Sequence, residues 1–293
     1  MTPQQLLRER LNDDTILVAP GVYDALSANL AALAGFAALY VSGASIAYTR
    51  LARPDLGYLG ADQVAEIVRN IGERTELPLI VDADTGFGNA LNVQRTLQIL
   101  EQAGASAIQL EDQSIPKRCG HLDGKILVSA AEMVGKIHAA VDARRDEATL
   151  IVARTDAVGP EGFEAALERA AAYAEAGADL LFVEALRDEE QMRRAVAMLG
   201  DVSPLMANMV EGGKTPLLGA RELQAIGFSL VIFPGALVRA LSRTAQEFFS
   251  SLYTHGTTKP FQDRMLDFNG LNDVLGTPDI LAAGKRYDPD TST

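Results

Sequence analysis

Two aspartates one residue apart, Asp82 and Asp84 in Val81-Asp82-Ala83-Asp84-Thr85-Gly86, are the first positions whose chemistry asks for an explanation. On an extended strand this spacing puts both side chains on one face. Carboxylates so placed repel each other, and a hard divalent cation with oxygen ligands relieves them. Mg²⁺ fits such a pair because it keeps several of its waters and takes few protein ligands, and Mn²⁺ is the alternative. Turn chemistry beside Gly86 also explains two acids, so the pair alone leaves both readings open. Glu111-Asp112 and Glu184 close other apolar runs in the same way and favour the metal.

A second cluster is Lys117-Arg118-Cys119-Gly120-His121. Cys119 is the only cysteine, so no intrachain disulfide can form. Two adjacent cations would stabilise its thiolate, which makes Cys119 a candidate acid or base; the alternative is a small buried hydrophobe. His121 alone would be a surface or structural residue and gains interest only from this loop. A helix start follows at Ser129-Ala130-Ala131-Glu132, with capping-box spacing.

These residues need a scaffold, and a recurring pattern supplies one. An Ala-rich helix ends at a glycine and a short apolar strand follows, at Gly35, Gly104, Gly177 and Gly227. Runs at 38–41, 107–110, 180–183 and 230–233 follow these glycines, and runs at 16–19, 79–81, 150–153 and 205–207 lie between them. Helical periodicity fills the gaps, as in 64–71, 130–143 and 163–176. Eight strands alternating with helices predict an α/β fold, a (β/α)8 TIM barrel. An open doubly wound sheet is the alternative, but no Gly-rich phosphate turn follows the first strand.

No linker interrupts the alternation, so one domain is expected over 1–293, with a C-terminal helical extension at about 236–286. The extension contains a helix over 236–253 and a further tract over 262–275. The tail, Asp288 to Thr293, is expected to be disordered. In such a barrel the C-terminal strand ends form the active rim. Here those ends are polar: Ser42-Gly43, Asp82 and Asp84, Glu111-Asp112, Arg154-Thr155-Asp156, Glu184, and Asn208 with Glu211.

The formal net charge of −13 argues against nucleic acid or an anionic membrane surface as a partner. The N-terminus lacks the basic start and apolar core of a signal peptide, and no apolar run approaches the roughly 18 residues of a membrane span, so a cytoplasmic protein is expected.

The motifs, taken in order, resemble the isocitrate lyase and phosphoenolpyruvate mutase superfamily. They are Tyr40-Val41-Ser42-Gly43, Pro54-Asp55-Leu56-Gly57, the Asp82 to Gly88 segment, Glu111-Asp112-Gln113, Lys117 to His121, Ala153 to Ala157, and Ala207 to Gly213. The resemblance implies Asp82 and Asp84 as principal metal-site carboxylates, with Asp55, Glu111 and Glu184 in support. It implies Ser42, Gly43, Gly120, Arg154 and Asn208 around an α-keto or 2-hydroxy carboxylate substrate. The 117–121 loop becomes a mobile gate delivering Cys119, with Lys117 and His121 as further catalytic candidates. It also implies an eighth helix swapped within a homodimer, usually paired into a homotetramer. Tyr40 is the candidate to receive a substrate hydroxyl proton.

Cys119 favours the carbon–carbon lyase branch, in which a 2-hydroxy dicarboxylate is cleaved to an α-keto acid and a smaller carboxylate. The nearest motifs are those of methylisocitrate lyases, alkylmalate (dimethylmalate) lyases and carboxyphosphonoenolpyruvate phosphonomutases, so carbon–phosphorus chemistry is the alternative. Methylisocitrate lyases tend to carry Arg and Thr where this chain has Leu122 and Val210. A third substrate carboxylate would lose a cation and a hydroxyl there, which points to a substrate of the alkylmalate type. Oxaloacetate hydrolase or decarboxylase chemistry is a further alternative, although Pro234-Gly235-Ala236 departs from the Pro-Leu-Ser or Pro-Leu-Thr common in relatives and weighs against the hydrolase.

Overall fold

A computed structural model of the chain describes residues 1–287, so the expectation for Asp288 to Thr293 lies outside the described residues. All eight apolar runs form parallel strands: β1 (Leu17–Val22), β2 (Leu39–Val41), β3 (Leu79–Asp82), β4 (Ala107–Glu111), β5 (Leu150–Thr155), β6 (Leu180–Val183), β7 (Met206–Asn208) and β8 (Leu230–Phe233). The order is β6-β5-β4-β3-β2-β1-β8-β7, with Leu17 opposite Leu230 joining the first strand to the last. β6 and β7 are linked by a bridge between Leu181 and Leu205, and the Leu181 N–H donates to the Pro204 carbonyl at 3.0 Å. The barrel is therefore nearly closed, with its weakest seam between β6 and β7.

The helices are α1 (Pro3–Leu11), α2 (Ala25–Leu33), α3 (Gly43–Ile46), α4 (Ala61–Gly72), α5 (Ala90–Ala103), α6 (Ala130–Ala143), α7 (Phe163–Glu175), α8 (Glu189–Leu199), α9 (Ala220–Ile226), α10 (Ala236–His255), α11 (Phe268–Leu275) and α12 (Thr277–Lys285). The glycine joints form as expected. Gly104 and Gly227 are left-handed caps, with φ of 109° and 112°, whose N–H groups bond the last-turn carbonyls of α5 and α9. Ser129 caps α6 by accepting the Glu132 N–H at 3.1 Å.

Strand periodicity explains both core and site. Leu17, Ala19, Ala38, Tyr40, Ile80, Ala107, Leu150, Val152, Leu180, Phe182, Met206, Leu230 and Ile232 share one buried cluster, the barrel interior. Leu7 and Leu11 of α1 belong to it too and close its N-terminal end. The alternate residues, among them Val41, Val81, Ile108, Ile151 and Val231, pack in the cluster shared with the helices. Continuing each inward series by two residues reaches Ser42 just after β2, Asp82 on β3, Gln109 and Glu111 on β4, Arg154 on β5, Glu184 after β6 and Asn208 on β7. The interior is thus apolar in its lower layers and polar at its C-terminal end.

The chain divides into two compact units, Met1–Val238 and Arg239–Thr293. The first holds the whole barrel. The second holds most of α10, a 3₁₀ turn (Lys259–Arg264), α11 and α12. The tract expected over 262–275 is therefore broken: the 3₁₀ turn ends at Arg264, and α11 starts afresh where Asp267 caps it through the Gly270 N–H at 2.7 Å. Inside this unit Phe248 meets Phe249 and Phe261 edge to face, at 5.5 and 5.4 Å between ring centres.

Candidate functional site

β3 ends at Asp82, and Asp84 lies in a turn with φ of 47°. The extended-strand argument for the pair is therefore corrected, because a left-handed turn brings the two carboxylates together. Asp82 Oδ1 accepts the Asp84 N–H at 3.1 Å and the Gln109 amide at 3.3 Å. Its Oδ2, with Asp84 Oδ1, faces Gly43: a Cβ on that glycine would lie 3.3 and 3.7 Å from them. One oxygen of Asp82 thus serves the turn, and the other is turned to the centre.

Lys117 reaches into this group from its loop. Its ammonium, 3 % exposed, lies 2.7 Å from Asp55 Oδ1 and 2.5 Å from Asp84 Oδ1. Burial works to lower its proton affinity, but Asp84, Glu111, Asp55 and Asp82 together hold the amine well above its ordinary value. Asp84 is pushed up to about 6 by burial against the pull of Lys117, with Asp82 and Asp55 adding to the rise. Glu111 is fully buried and also held well above its ordinary value, by burial in excess of what Arg154 and Lys117 offset. Its Oε2 lies 3.2 Å from Arg154 Nη1, yet neither of its oxygens accepts a hydrogen bond of good geometry.

Arg154 is enclosed by acids. It donates to both oxygens of Asp156 at 3.0 and 3.1 Å, stands 3.7 Å from Glu184 Oε2, and lies over the Phe182 ring at 5.2 Å. Burial alone would raise Asp156, but Arg154 and Lys125 reverse this and bring it to about 2. Asn208 Nδ2 donates to Glu184 Oε2 at 2.9 Å, while the buried Asn208 Oδ1 has no hydrogen-bond partner. Asp112 turns the other way from Glu111, as strand alternation requires. It accepts from Thr155 Oγ1 at 2.7 Å, the Tyr173 hydroxyl at 2.8 Å and the Asp156 N–H at 2.9 Å. Asp112 is therefore a support outside the barrel interior, and Glu211 is exposed.

The loop after β4 folds over this end. The Cys119 N–H donates to the Asp55 carbonyl at 3.2 Å. A Cβ on Gly120 would fall 2.4 Å from Arg154 Nη2 and 2.6 Å from Glu184 Cγ, so only glycine lets the loop come this close. His121 Nδ1 accepts the Lys214 N–H at 3.0 Å, and its Nε2 stands 3.6 Å from Glu184 Oε1. Burial lowers the imidazole, against Glu184, and leaves it neutral near pH 7.

The expected Cys119 thiolate is corrected. Lys117 is engaged with Asp55 and Asp84, and Arg118 is turned outward with its guanidinium on the Asp123 carbonyl at 3.1 Å. Burial pushes the thiol up, and Asp55 and Glu184 add to this against the His121 N–H and Arg154. Cys119 is consequently a protonated thiol, suited to give a proton rather than take one.

Tyr40 also departs from expectation. Its hydroxyl donates to Gln109 Oε1 at 3.0 Å, and burial first, then Asp82, holds the phenol well above its ordinary value. That environment disfavours the phenolate a base would require. Ser42 caps α3 by accepting the Ser45 N–H at 3.2 Å, and Gly43 begins that turn beside Asp82.

Among the described residues no three His, Cys, Asp or Glu side chains converge closely enough to enclose an ion by themselves. The donor set nonetheless suits a hydrated divalent cation. Asp55, Asp82, Asp84, Glu111, Asp156 and Glu184 are buried around Lys117, Lys125 and Arg154, and both oxygens of Glu111 lack hydrogen bonds. An ion held by one or two of these carboxylates and completed by water matches the habit of Mg²⁺.

The model of the phosphoenolpyruvate phosphomutase family matches residues 7–253. The chain belongs to this family. Within it, the chain is 47% identical to 2-methylisocitrate lyase of Aeropyrum pernix over 94% of this chain and 88% of the relative. It is 42% identical to 2,3-dimethylmalate lyase of Eubacterium barkeri over 96% of each chain. A crystal structure of a 2,3-dimethylmalate lyase, a PEP mutase/isocitrate lyase superfamily member, superposes with a TM-score of 0.92 at 36% identity, over 98% of this chain and 95% of that one. A phosphonopyruvate hydrolase solved with oxalate and Mg²⁺ superposes with a TM-score of 0.87 at 30% identity, over 98% and 99% of the two chains.

In this member of the phosphomutase family, sequence reasoning gave no role to three side chains that the fold brings to the centre. Gln109 joins Tyr40 to Asp82, and its signal was present, since it shares the inward face of β4 with Glu111. Gln113 donates to Asp156 Oδ2 at 3.1 Å and to the Arg118 carbonyl at 2.8 Å. Lys125 is buried against Asp156, which no local pattern announces.

Proposed function

We propose that this phosphomutase-family chain is a Mg²⁺-dependent carbon–carbon lyase that cleaves a 2-hydroxy dicarboxylate to an α-keto acid and a smaller carboxylate. The observation that carries this reading is the Cys119 loop seated against buried carboxylates and Arg154, an environment in which burial favours the thiol over the thiolate. Asp82 and Asp84 would hold the cation through their centre-facing oxygens, with Asp55, Glu111 and Glu184 orienting its waters. When bound, Mg²⁺ would polarise the substrate 2-hydroxyl and neighbouring carboxylate and lower the hydroxyl pKa.

Arg154 and Asn208 face the position of the keto-acid end, and the unpaired Asn208 Oδ1 can accept the hydroxyl proton's hydrogen bond. As the C2–C3 bond breaks, the 2-hydroxyl proton would leave to a carboxylate of the surrounding cluster, the C2–O bond becomes the keto group, and the electron pair of the broken bond passes to C3 and the adjacent carboxylate. The Cys119 thiol then protonates that carbon, in general-acid catalysis. Tyr40 supports Gln109 and through it Asp82.

Leu122 is 48% exposed on the loop and offers no charge to a third substrate carboxylate. Leaving such a carboxylate poorly paired costs several kcal/mol, which favours a dicarboxylate of the alkylmalate type. The test is keto-acid release from malate, alkylmalates, 2-methylisocitrate, oxaloacetate and phosphonopyruvate. An alkylmalate is expected to give the highest kcat/KM. Preference for 2-methylisocitrate would move the substrate to a tricarboxylate, and turnover of phosphonopyruvate alone would place the chain in the carbon–phosphorus branch.

The C-terminal unit leaves Tyr253 93% and Phe268 84% exposed, with Phe249 and Leu281 also open. Apolar surface of this kind is covered in an oligomer, and a second copy of the chain is the occupant that a swapped helix implies. Sedimentation at micromolar concentration should give a dimer or tetramer, and a uniform monomer would contradict this.

Among the described residues no helix is long and apolar enough to cross a membrane.

A further inference from the structure

The loop that carries Cys119 is fastened by contacts that proton delivery itself does not use. Lys125, at the far end of the loop, has a side chain 3% exposed, and its ammonium donates to the Gly120 carbonyl and, at 3.0 Å, to Asp156 Oδ1. Gly120 lies between Cys119 and His121, at the point where the loop presses hardest on Arg154 and Glu184. Lys125 therefore grips the segment that must be in place for chemistry.

Its acceptor is held independently of the loop. The Asp156 N–H donates to Asp112 Oδ1 at 2.9 Å, and Asp112 is itself fixed by Thr155 and Tyr173. Asp156 also takes Arg154 Nε at 3.0 Å and Gln113 Nε2 at 3.1 Å, and Gln113 is paired with the backbone of Arg118 at both its carbonyl and its amide. One carboxylate thus joins the near limb of the loop, the far limb and Arg154. An ammonium is strongly disfavoured inside a protein without a partner and content in water, so the lysine has two stable places, against Asp156 or in solvent.

We infer that Lys125 and Asp156 are positioning residues that latch the loop shut and tie its closure to the orientation of Arg154. The link to turnover rests on the lyase reading; the link to loop closure does not. Because the chain has one cysteine, alkylation by iodoacetamide at fixed pH reports the exposure of Cys119 directly.

In the full-length Mg²⁺-loaded protein, Lys125→Met should raise the alkylation rate at least about tenfold by shifting the loop toward its open population. The same change should lower kcat by about tenfold or more with KM within about threefold, the pattern of a lost transition-state arrangement. Lys125→Arg should recover part of both, and Lys125→Gln, too short for both acceptors, gives the same direction if the methionine variant does not fold. Alkylation and kcat within about twofold of wild type in a folded Lys125→Met or Lys125→Gln protein would overturn the latch, as would a loss of thermal stability alone. Wild-type protein without lyase activity but with variant-dependent alkylation would overturn the lyase reading and leave the latch standing.

Discussion

Replacing Cys119 with serine is expected to lower turnover by roughly 10²- to 10⁴-fold, the range that a positioned general acid contributes. Serine keeps the size and a hydrogen-bonding group, but its hydroxyl is far too weak an acid to protonate a carbanion-like centre at a useful rate. Inhibition by oxalate, a mimic of the enolate product, should stay within about threefold of wild type, because Arg154 and the carboxylate cluster remain in place. A measured inhibition constant that rises in step with the loss of kcat would show that serine had displaced the loop rather than removed an acid.

The raised thiol adds a pH signature. A group whose proton affinity is raised stays protonated further into alkaline solution, so the alkaline fall of kcat due to thiol ionisation should lie above the ordinary thiol value of about 8.5. That limb should vanish from the residual activity of Cys119→Ser. A fall centred below the ordinary value, in wild type, would mean that the expected thiolate is present after all and that Cys119 acts as a base. Because iodoacetamide reacts with the thiolate, the alkylation rate measured against pH supplies an independent reading of the same group.

Much of this arrangement was legible in the residues. The glycines at 35, 104, 177 and 227 fixed where helices end, and the eight apolar runs gave the strand count of the barrel. The period of two could have been pushed further. It separates Glu111, which faces the centre, from Asp112, which faces α7, and it would have drawn Gln109 into the site. What local pattern does not contain is where long side chains end. Lys117 and Arg118 look alike in the sequence, yet one ammonium lies buried against Asp55 and Asp84 while the other cation is in solvent, and that difference inverts the expected charge state of Cys119. Asp84 shows the same limit in the backbone: its left-handed φ of 47° depends on the turn being held from outside, by the Lys136 ammonium on the Thr85 carbonyl at 3.2 Å and Thr96 Oγ1 on the Gly86 carbonyl at 3.0 Å.

Removal of divalent cations is expected to reduce turnover to background and to lower the thermal midpoint as well, since Asp55, Asp82, Asp84 and Glu111 are buried close together at this end of the barrel. A cation that binds only the folded state stabilises it by about 2.7 kcal/mol at a hundred times its Kd, which for a chain of this size raises the midpoint by roughly 5 to 10 °C. Titrating Mg²⁺ into chelator-treated protein while following unfolding measures this without any substrate. Asp84→Asn separates a cation site from a merely structural acid cluster, because the two predict opposite signs. Removing one surplus buried negative charge should leave the metal-free protein as stable as wild type or more so, since Lys117 keeps Asp55 as a partner. The Mg²⁺-dependent rise should shrink to a small fraction of its wild-type size, and turnover should fall with it. An Asp84→Asn protein with an undiminished response to Mg²⁺ would remove Asp84 from the cation site, and full wild-type activity in metal-free buffer would remove the cation from the reaction.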